Sequence, residues 1–493
     1  MYKTVLEIEL PGLIETWMKQ ATVYAPAGQG GMSAFEPLAD PYQVDMNSIG
    51  NGDRFEISPH SLDMNYMNDR INTRLPAKAL FLPQSEVMFG VRQGQFSSTE
   101  GKVKPRVILG MRPCDIRAIK LLDAVFLTGS NPDPYWARKR ELTTIVGLGC
   151  HAPGKECFCT SVGTGPFDSC GEGGADAMLT MVDNRHTDIQ RTDNQRTDNQ
   201  SMDNHRTDNQ RTDNRHTDNA HMENAHMDNA HMSNNHIGNN YYGVEIYTSK
   251  GQALFGGLRD ATDSQREAMR QIQLSASAKV QKPFTTEGIK DRLNDLFASD
   301  FWDKVQQSCL GCGVCTYLCP TCHCFDIVDE AQRHERVRNW DSCMFRIYSQ
   351  EASGYNPRPR VKERIRQRIM HKFVYFSERL QGRVNDACKV NDACKVNDSC
   401  KVNDACRVND SCRVNDSSDS SNETGCVGCG RCVRFCPVNL DIRAVIRLAQ
   451  EGYPHYRDHR DHRDHHDHHD HRDQGDQGDQ GDHGIETPTT GHG

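Results

Sequence analysis

No run of apolar residues in this 493-residue chain approaches the roughly 18 that a bilayer-spanning helix requires. Aromatic residues are sparse, at 7% with four tryptophans, and the mean hydropathy of −0.74 is low for a compact protein. Part of the chain therefore lacks the apolar side chains that a core needs. There is no surplus of positive charge either: the net charge is −9 and the isoelectric point near 6.2, which argues against a nucleic-acid surface as the main business. The first residues, MYKTVLEIELPGLIETW, place acids where an export signal has a basic end and an apolar run, so the expected location is the cytoplasm. Also missing are a G-x-G-x-x-G turn between a strand and a helix, a G-x-x-x-x-G-K-[ST] loop and a G-x-S-x-G elbow. Flavin, nicotinamide or nucleotide chemistry is thus assigned to another chain, and no residue is nominated as catalytic.

Three stretches account for the low hydropathy. A pentad repeat (RTDNQ and variants) runs over 184–240, a hexad repeat (VNDACK and variants) over 384–422, and an Asp-His-rich triplet repeat begins at 457. Periods of five and three match neither helix nor strand, and large apolar residues are almost absent. The three read as disordered insertions and a disordered tail. The hexad cysteines Cys388, Cys394, Cys400, Cys406 and Cys412 recur every six residues, a spacing unlike that of compact metal sites, and they are not taken as ligands.

What the chain has in quantity is cysteine, 21 residues of it. Without an export signal this points to metal or redox chemistry rather than to disulfides. Two blocks, SCLGCGVCTYLCP and GCVGCGRCVRFCP, share the spacing Cys-x2-Cys-x2-Cys-x3-Cys-Pro. That is the two-cluster ferredoxin run, in which the fourth cysteine of each block ligates the other cluster. Structural zinc instead pairs two Cys-x2-Cys units across a longer span. The spacing therefore predicts two [4Fe–4S] clusters, one on Cys309, Cys312, Cys315 and Cys436, the other on Cys426, Cys429, Cys432 and Cys319. Cys322, Cys324 and Cys343 read as small buried hydrophobes that shield the clusters.

Between the blocks, Ile365, Ile369, Phe373 and Phe376 recur at helical spacing, and DIRAVIRLAQ after the second block is helical too. Nearer the start, Val107 to Leu109 reads as a strand, and Asp115 caps a helix carrying Ile116, Ile119, Leu122 and Phe126. TTIVGLGC at 143–150 is a second strand, and Met178 to Val182 with Tyr241 to Tyr247 forms a hairpin whose turn holds the pentad repeat. Ligands gather at the carboxyl ends of strands in open α/β sheets. Cys114, Cys150, Cys157 and Cys159 lie at such ends, with Cys170 as a fifth candidate. A third [4Fe–4S] cluster, a zinc ion or plain reduced cysteines all remain open there, with Arg112 and Arg117 available to offset thiolate charge.

GMRPCDIRAIKLLD, GCHAPGKECFCTSVGTGPF, CLGCGVCTYLCPTCHCFDI, WDSCMFRIYS, NPRPRVKERIRQRIMHKF and GCVGCGRCVRFCPVNLDI together resemble the iron–sulfur β subunits of cytoplasmic nickel–iron hydrogenases and sulfhydrogenases. The A subunit of anaerobic sulfite reductase is a relative of the same kind. The resemblance implies a two-domain electron-transfer subunit beside a flavin/NAD(P)-binding subunit and a nickel–iron hydrogenase or sulfite reductase catalytic subunit. The expected fold class is α+β. An N-terminal α/β domain over 1–183 and 241–290 precedes a mainly helical two-cluster ferredoxin domain over 291–456, followed by the tail from 457 to 493. The competing reading is a reductase of sulfite or another sulfur compound, with the substrate reduced at or near this chain; it needs an open cluster position or a reactive thiol such as Cys170 or Cys343.

Overall fold

In the computed structural model the described residues are 1–29, 32–39, 72–98, 103–171, 173–182, 240–377 and 423–451, all within one compact unit, Met1–Tyr453. The expectations for the three repeats fall outside the described residues.

Among the described residues, twelve strands form two sheets. They are β1 (Tyr2–Leu6), β2 (Thr22–Gln29), β3 (Met32–Pro37), β4 (Ser85–Arg92), β5 (Gln95–Ser98), β6 (Arg106–Met111), β7 (Thr143–Leu148), β8 (Ala177–Val182), β9 (Tyr241–Ile246), β10 (Arg259–Asp260), β11 (Phe325–Glu330) and β12 (Glu335–Trp340). The large sheet runs β10-β1-β9-β8-β7-β6-β2-β3, with β2, β6, β7 and β8 parallel and the flanking pairs antiparallel. Every residue of β6 is buried, as a central parallel strand covered on both faces requires. Its alternate side chains divide between two cores. Val107 and Leu109 meet Leu10, Ile14 and Trp17 of helix Leu10–Met18, whereas Ile108 and Met111 meet Ile116, Ile119 and Leu122 of helix Pro113–Phe126. The expected strand, turn and helix are thus present, but Asp115 does not cap the helix: Arg112 holds the N-cap position, Pro113 opens the helix where its missing N–H costs nothing, and Asp115 lies in the first turn. β8 and β9 pair from Ala177↔Ile246 to Val182↔Tyr241, the hairpin expected on either side of the pentads.

Helix Val361–Met370 continues as a π-helical turn over His371–Tyr375 and packs Ile365, Ile369 and Phe373 against Trp302, Leu293 and Ile446. The last of these comes from helix Ile442–Gln450, whose N-cap Asp441 accepts from the Arg443 N–H. Each fully buried side chain of this size contributes about 1.5–3 kcal/mol. The sequence reading contains no strand in this part of the chain, yet β11 and β12 form an antiparallel hairpin there. β12 also pairs with β4 in a four-stranded sheet β11-β12-β4-β5. The architecture is therefore mixed α and β throughout. The seam between β12 and β4 buries charge: Arg338 pairs with Glu86 and Asp133, and Lys139 with the same Glu86.

Helix Asp263–Lys279 opens on a reciprocal capping box between Thr262 and Gln265. Thr262→Ala is expected to cost about 1 kcal/mol in chemical denaturation. Iron content should not change, because the capping box joins only Thr262, Ser264 and Gln265 at the exposed start of the helix; loss of iron would contradict this. Among the described residues no helix is long and apolar enough to cross a membrane.

Candidate metal centres

The two cysteine blocks fold alike because they repeat the same spacing. In the first, Gly311 and Gly313 take left-handed φ of +67° and +76°, and Gly313 opens the short helix Val314–Tyr317. In the second, Gly428 and Gly430 take +62° and +75° before helix Arg431–Arg434. L side chains disfavour such φ values, so glycine at these positions lets three cysteines ring one loop. The Gly311 N–H donates to Cys309 Sγ at 3.3 Å, as a loop shaped to present N–H groups to sulfur should. Cys312 is the exposed member of the first block.

The fourth cysteine of each block leaves its own loop. Cys319 lines a small cavity together with Cys426, Cys429 and Cys432. Conversely, the Cys309 thiol is raised by burial, and its charged neighbours include Cys312 and Cys436. The Leu440 N–H donates to Cys436 Sγ at 3.2 Å.

A second small cavity is lined by Cys114, Cys150, Cys157 and Cys159, together with Arg112, Asn72 and three prolines. The four N-terminal cysteines nominated from sequence therefore come together. Cys170 is not among the lining residues and is buried instead against Ile116 and Ile119. Gly428 and Cys429 belong to the walls of both cavities. There the loop from Gly154 to Cys159 lies directly on the second cysteine block, with the Phe158 N–H donating to the Gly428 carbonyl at 2.9 Å.

Burial pushes the thiols of Cys157 up to about 11 and of Cys159 and Cys426 up to about 12. The bare thiols thus stay protonated at neutral pH, and loading metal must release protons. Cys319 differs, held well below the usual thiol range first by its hydrogen bond with Cys322, with Lys372 adding to the effect. Cys324 and Cys343 share a hydrogen bond, which lowers Cys324 to about 6 and raises Cys343. The shielding residues expected from sequence are in place, Cys322 and Cys343 buried and Cys324 partly so.

Cations are buried among these thiols. Arg112 donates to the Gly149 carbonyl at 2.6 Å and lies by Cys150 and Cys114. Arg117, the other cation expected to balance these thiols, instead pairs with Glu423. Arg368 and Lys372 line the Cys319 cavity. Arg431, fully buried, makes a two-pronged pair with Asp115 at 2.8 and 2.7 Å. Sequence reasoning missed Arg368, Lys372 and Arg431. The available signal for the first two was the row Arg364, Arg368, Lys372, spaced by four on the helix face that also carries Ile365 and Ile369.

This donor set fits iron–sulfur clusters. Four thiols ring the Cys319 cavity, the four N-terminal thiols and Cys429 ring the other, and the buried Arg368 Nε has no hydrogen-bond partner. Among the described residues no group of three His, Cys, Asp or Glu side chains could hold a single metal ion.

The family described as 4Fe-4S dicluster domain matches residues 308–403, and that described as 4Fe-4S binding domain matches 421–440. Sulfhydrogenase 2 subunit beta of Pyrococcus furiosus is 26% identical over 391 residues, covering 78% of this chain and 85% of that protein. No solved structure matches. These findings bear out the resemblance of the chain to iron–sulfur β subunits of the hydrogenase kind.

Proposed function

We propose that this iron–sulfur chain is the electron-relay subunit of a cytoplasmic hydrogenase- or sulfhydrogenase-type complex. Cys309, Cys312, Cys315 and Cys436 hold one [4Fe–4S] cluster, and Cys426, Cys429, Cys432 and Cys319 hold a second. The carrying observation is that Cys319 lines one cavity with the three cysteines of the other block. Cys114, Cys150, Cys157 and Cys159 hold a third cluster. Its support is a second cavity in which these four thiols converge and which shares the Cys429 wall. Zinc fits less well, because its four thiolates must meet at about 2.3 Å from one point. Such clusters, when bound, exchange single electrons at potentials set by charge and hydrogen bonds around them.

The chain's own residues do the positioning. Glycines in left-handed turns aim N–H groups at sulfur, Phe158 and Ile442 exclude water from the Cys319 cavity, and buried cations balance the thiolates. The flavin and substrate chemistry belongs to partner subunits, one binding flavin and NAD(P), the other a nickel–iron hydrogenase or a sulfite reductase. The reading in which substrate is reduced on this chain is less well supported. The thiols it would use are buried, with Cys170 pushed up to about 12 and Cys343 raised as well.

Iron analysis and paramagnetic resonance on the anaerobically purified full chain test this. Cys157→Ser should lower iron by about four per chain and leave the other two signals. Cys319→Ser should perturb the cluster served by Cys426, Cys429 and Cys432. A change confined to the Cys309 cluster would refute the crossing, and zinc in the N-terminal site would refute the third cluster.

A further inference from the structure

Helix Val361–Met370 and its π-helical extension bury three cations, Arg364, Arg368 and Lys372, exposed by only 7%, 5% and 4%. Arg364 Nη1 is satisfied by the carbonyls of Arg358 and Pro359. Lys372 Nζ donates to Thr321 Oγ1 at 2.5 Å. Arg368 is placed differently. Its Nε, like that of Arg364, is buried without a hydrogen-bond partner, but among the described residues it has no carbonyl contacts like those of Arg364 Nη1 and no ion pair with a carboxylate. Taking a guanidinium out of water is strongly unfavourable unless an anion offsets it. The thiols that act on Arg368 come from both blocks, Cys315 of the first and Cys432 of the second, together with Cys322 and Cys319. It also lines the cavity of Cys319, Cys426, Cys429 and Cys432.

We infer that Arg368 is a positioning residue shared by the two crossing sites, its single buried charge raising the reduction potentials of both clusters together. The inference rests on the cluster reading above. A buried positive charge favours the more negative, reduced state of an anion beside it, and the effect is strong where water is excluded. Lys372 provides an internal comparison. The thiols it faces are Cys319, Cys322 and Cys426, so its charge acts on the second site.

The experiment is a potentiometric titration followed by paramagnetic resonance on the full chain, with iron counted in each sample. Arg368→Gln should lower the potentials of both clusters. At a fixed ambient potential each reduced-to-oxidised ratio should fall about tenfold, which for a one-electron couple is about 59 mV. Arg368→Lys should keep both near the parent values, and Lys372→Met should lower only the cluster of Cys426, Cys429 and Cys432. With full iron, unmoved potentials in Arg368→Gln, or a shift in one cluster alone, overturn the inference. So does an Arg368→Lys shift as large as that of Arg368→Gln. If Arg368→Gln fails to load iron, Arg368→Lys decides. Loading at parent potentials upholds a role for the charge, and failure to load assigns Arg368 to packing and overturns it. A parent chain without two [4Fe–4S] signals would instead remove the cluster reading itself, a separate and recognisable result.

Discussion

Asp115→Ala is expected to destabilise the protein by about 3–5 kcal/mol, because it strands the buried Arg431 guanidinium without its counter-charge. The pair is fully enclosed, with side-chain exposures of 0% and 1%. Arg431 Nε is already committed to the Thr73 carbonyl at 2.8 Å. The pair also joins two cysteine-bearing segments. Asp115 follows Cys114 in the first turn of helix Pro113–Phe126, and Arg431 lies between Cys429 and Cys432. Iron should therefore be lost from both the N-terminal site and the Cys426 site. Anaerobic denaturant unfolding and iron per chain measure the two effects. Stability should return in part in the Asp115→Ala, Arg431→Met double variant, since removing both charges removes the unpaired one. A single variant as stable as the parent would show that the cation finds another partner.

Gly428→Ala carries the second large effect. The backbone there has φ +62°, and an added Cβ would lie 2.5 Å from the Cα and N of Cys159 and from the carbonyl carbon of Phe158. Both sides of that contact are main chain, so no side-chain rotation relieves it. The left-handed conformation alone costs alanine about 1–2 kcal/mol. Separating the loops additionally breaks the Phe158 N–H···O bond to Gly428. The expected result is a loss of more than about 2 kcal/mol, with about four irons per chain lost from the N-terminal site first. Gly163→Ala is the control, with φ +75° and nothing within 4 Å of the added Cβ. It should show the conformational cost and keep its iron. Equal iron loss in both variants would mean that backbone strain, not the loop contact, controls the site.

Much of the candidate site was legible because cluster ligation is local. Three cysteines spaced three positions apart, with glycine at the turns, can close one loop wherever they stand, so two blocks of equal spacing produced two equivalent loops. The strands at β6 and β7, the helix after β6 and the β8–β9 hairpin were legible for a similar reason: apolar periodicity is imposed by the face each element buries. The β11–β12 hairpin was not. Its stretch FDIVDEAQRHERVRNW carries seven charged residues among sixteen, and its place in a sheet depends on pairing with β4, far away in sequence. Arg368 and Lys372 escaped notice because a charge on a helix is ordinarily read as its solvated side.

From its sequence alone the chain determines that it carries two ferredoxin-type cysteine blocks and a set of thiols at strand ends, since spacing and periodicity are properties of neighbouring residues. Tertiary structure alone decided that Asp115 meets Arg431, that Gly428 closes on Cys159, and that Arg368 faces thiols of both blocks. Those contacts join residues tens to hundreds of positions apart. What selects them is the cost of burying charge and backbone without partners, which acts only once the chain has folded.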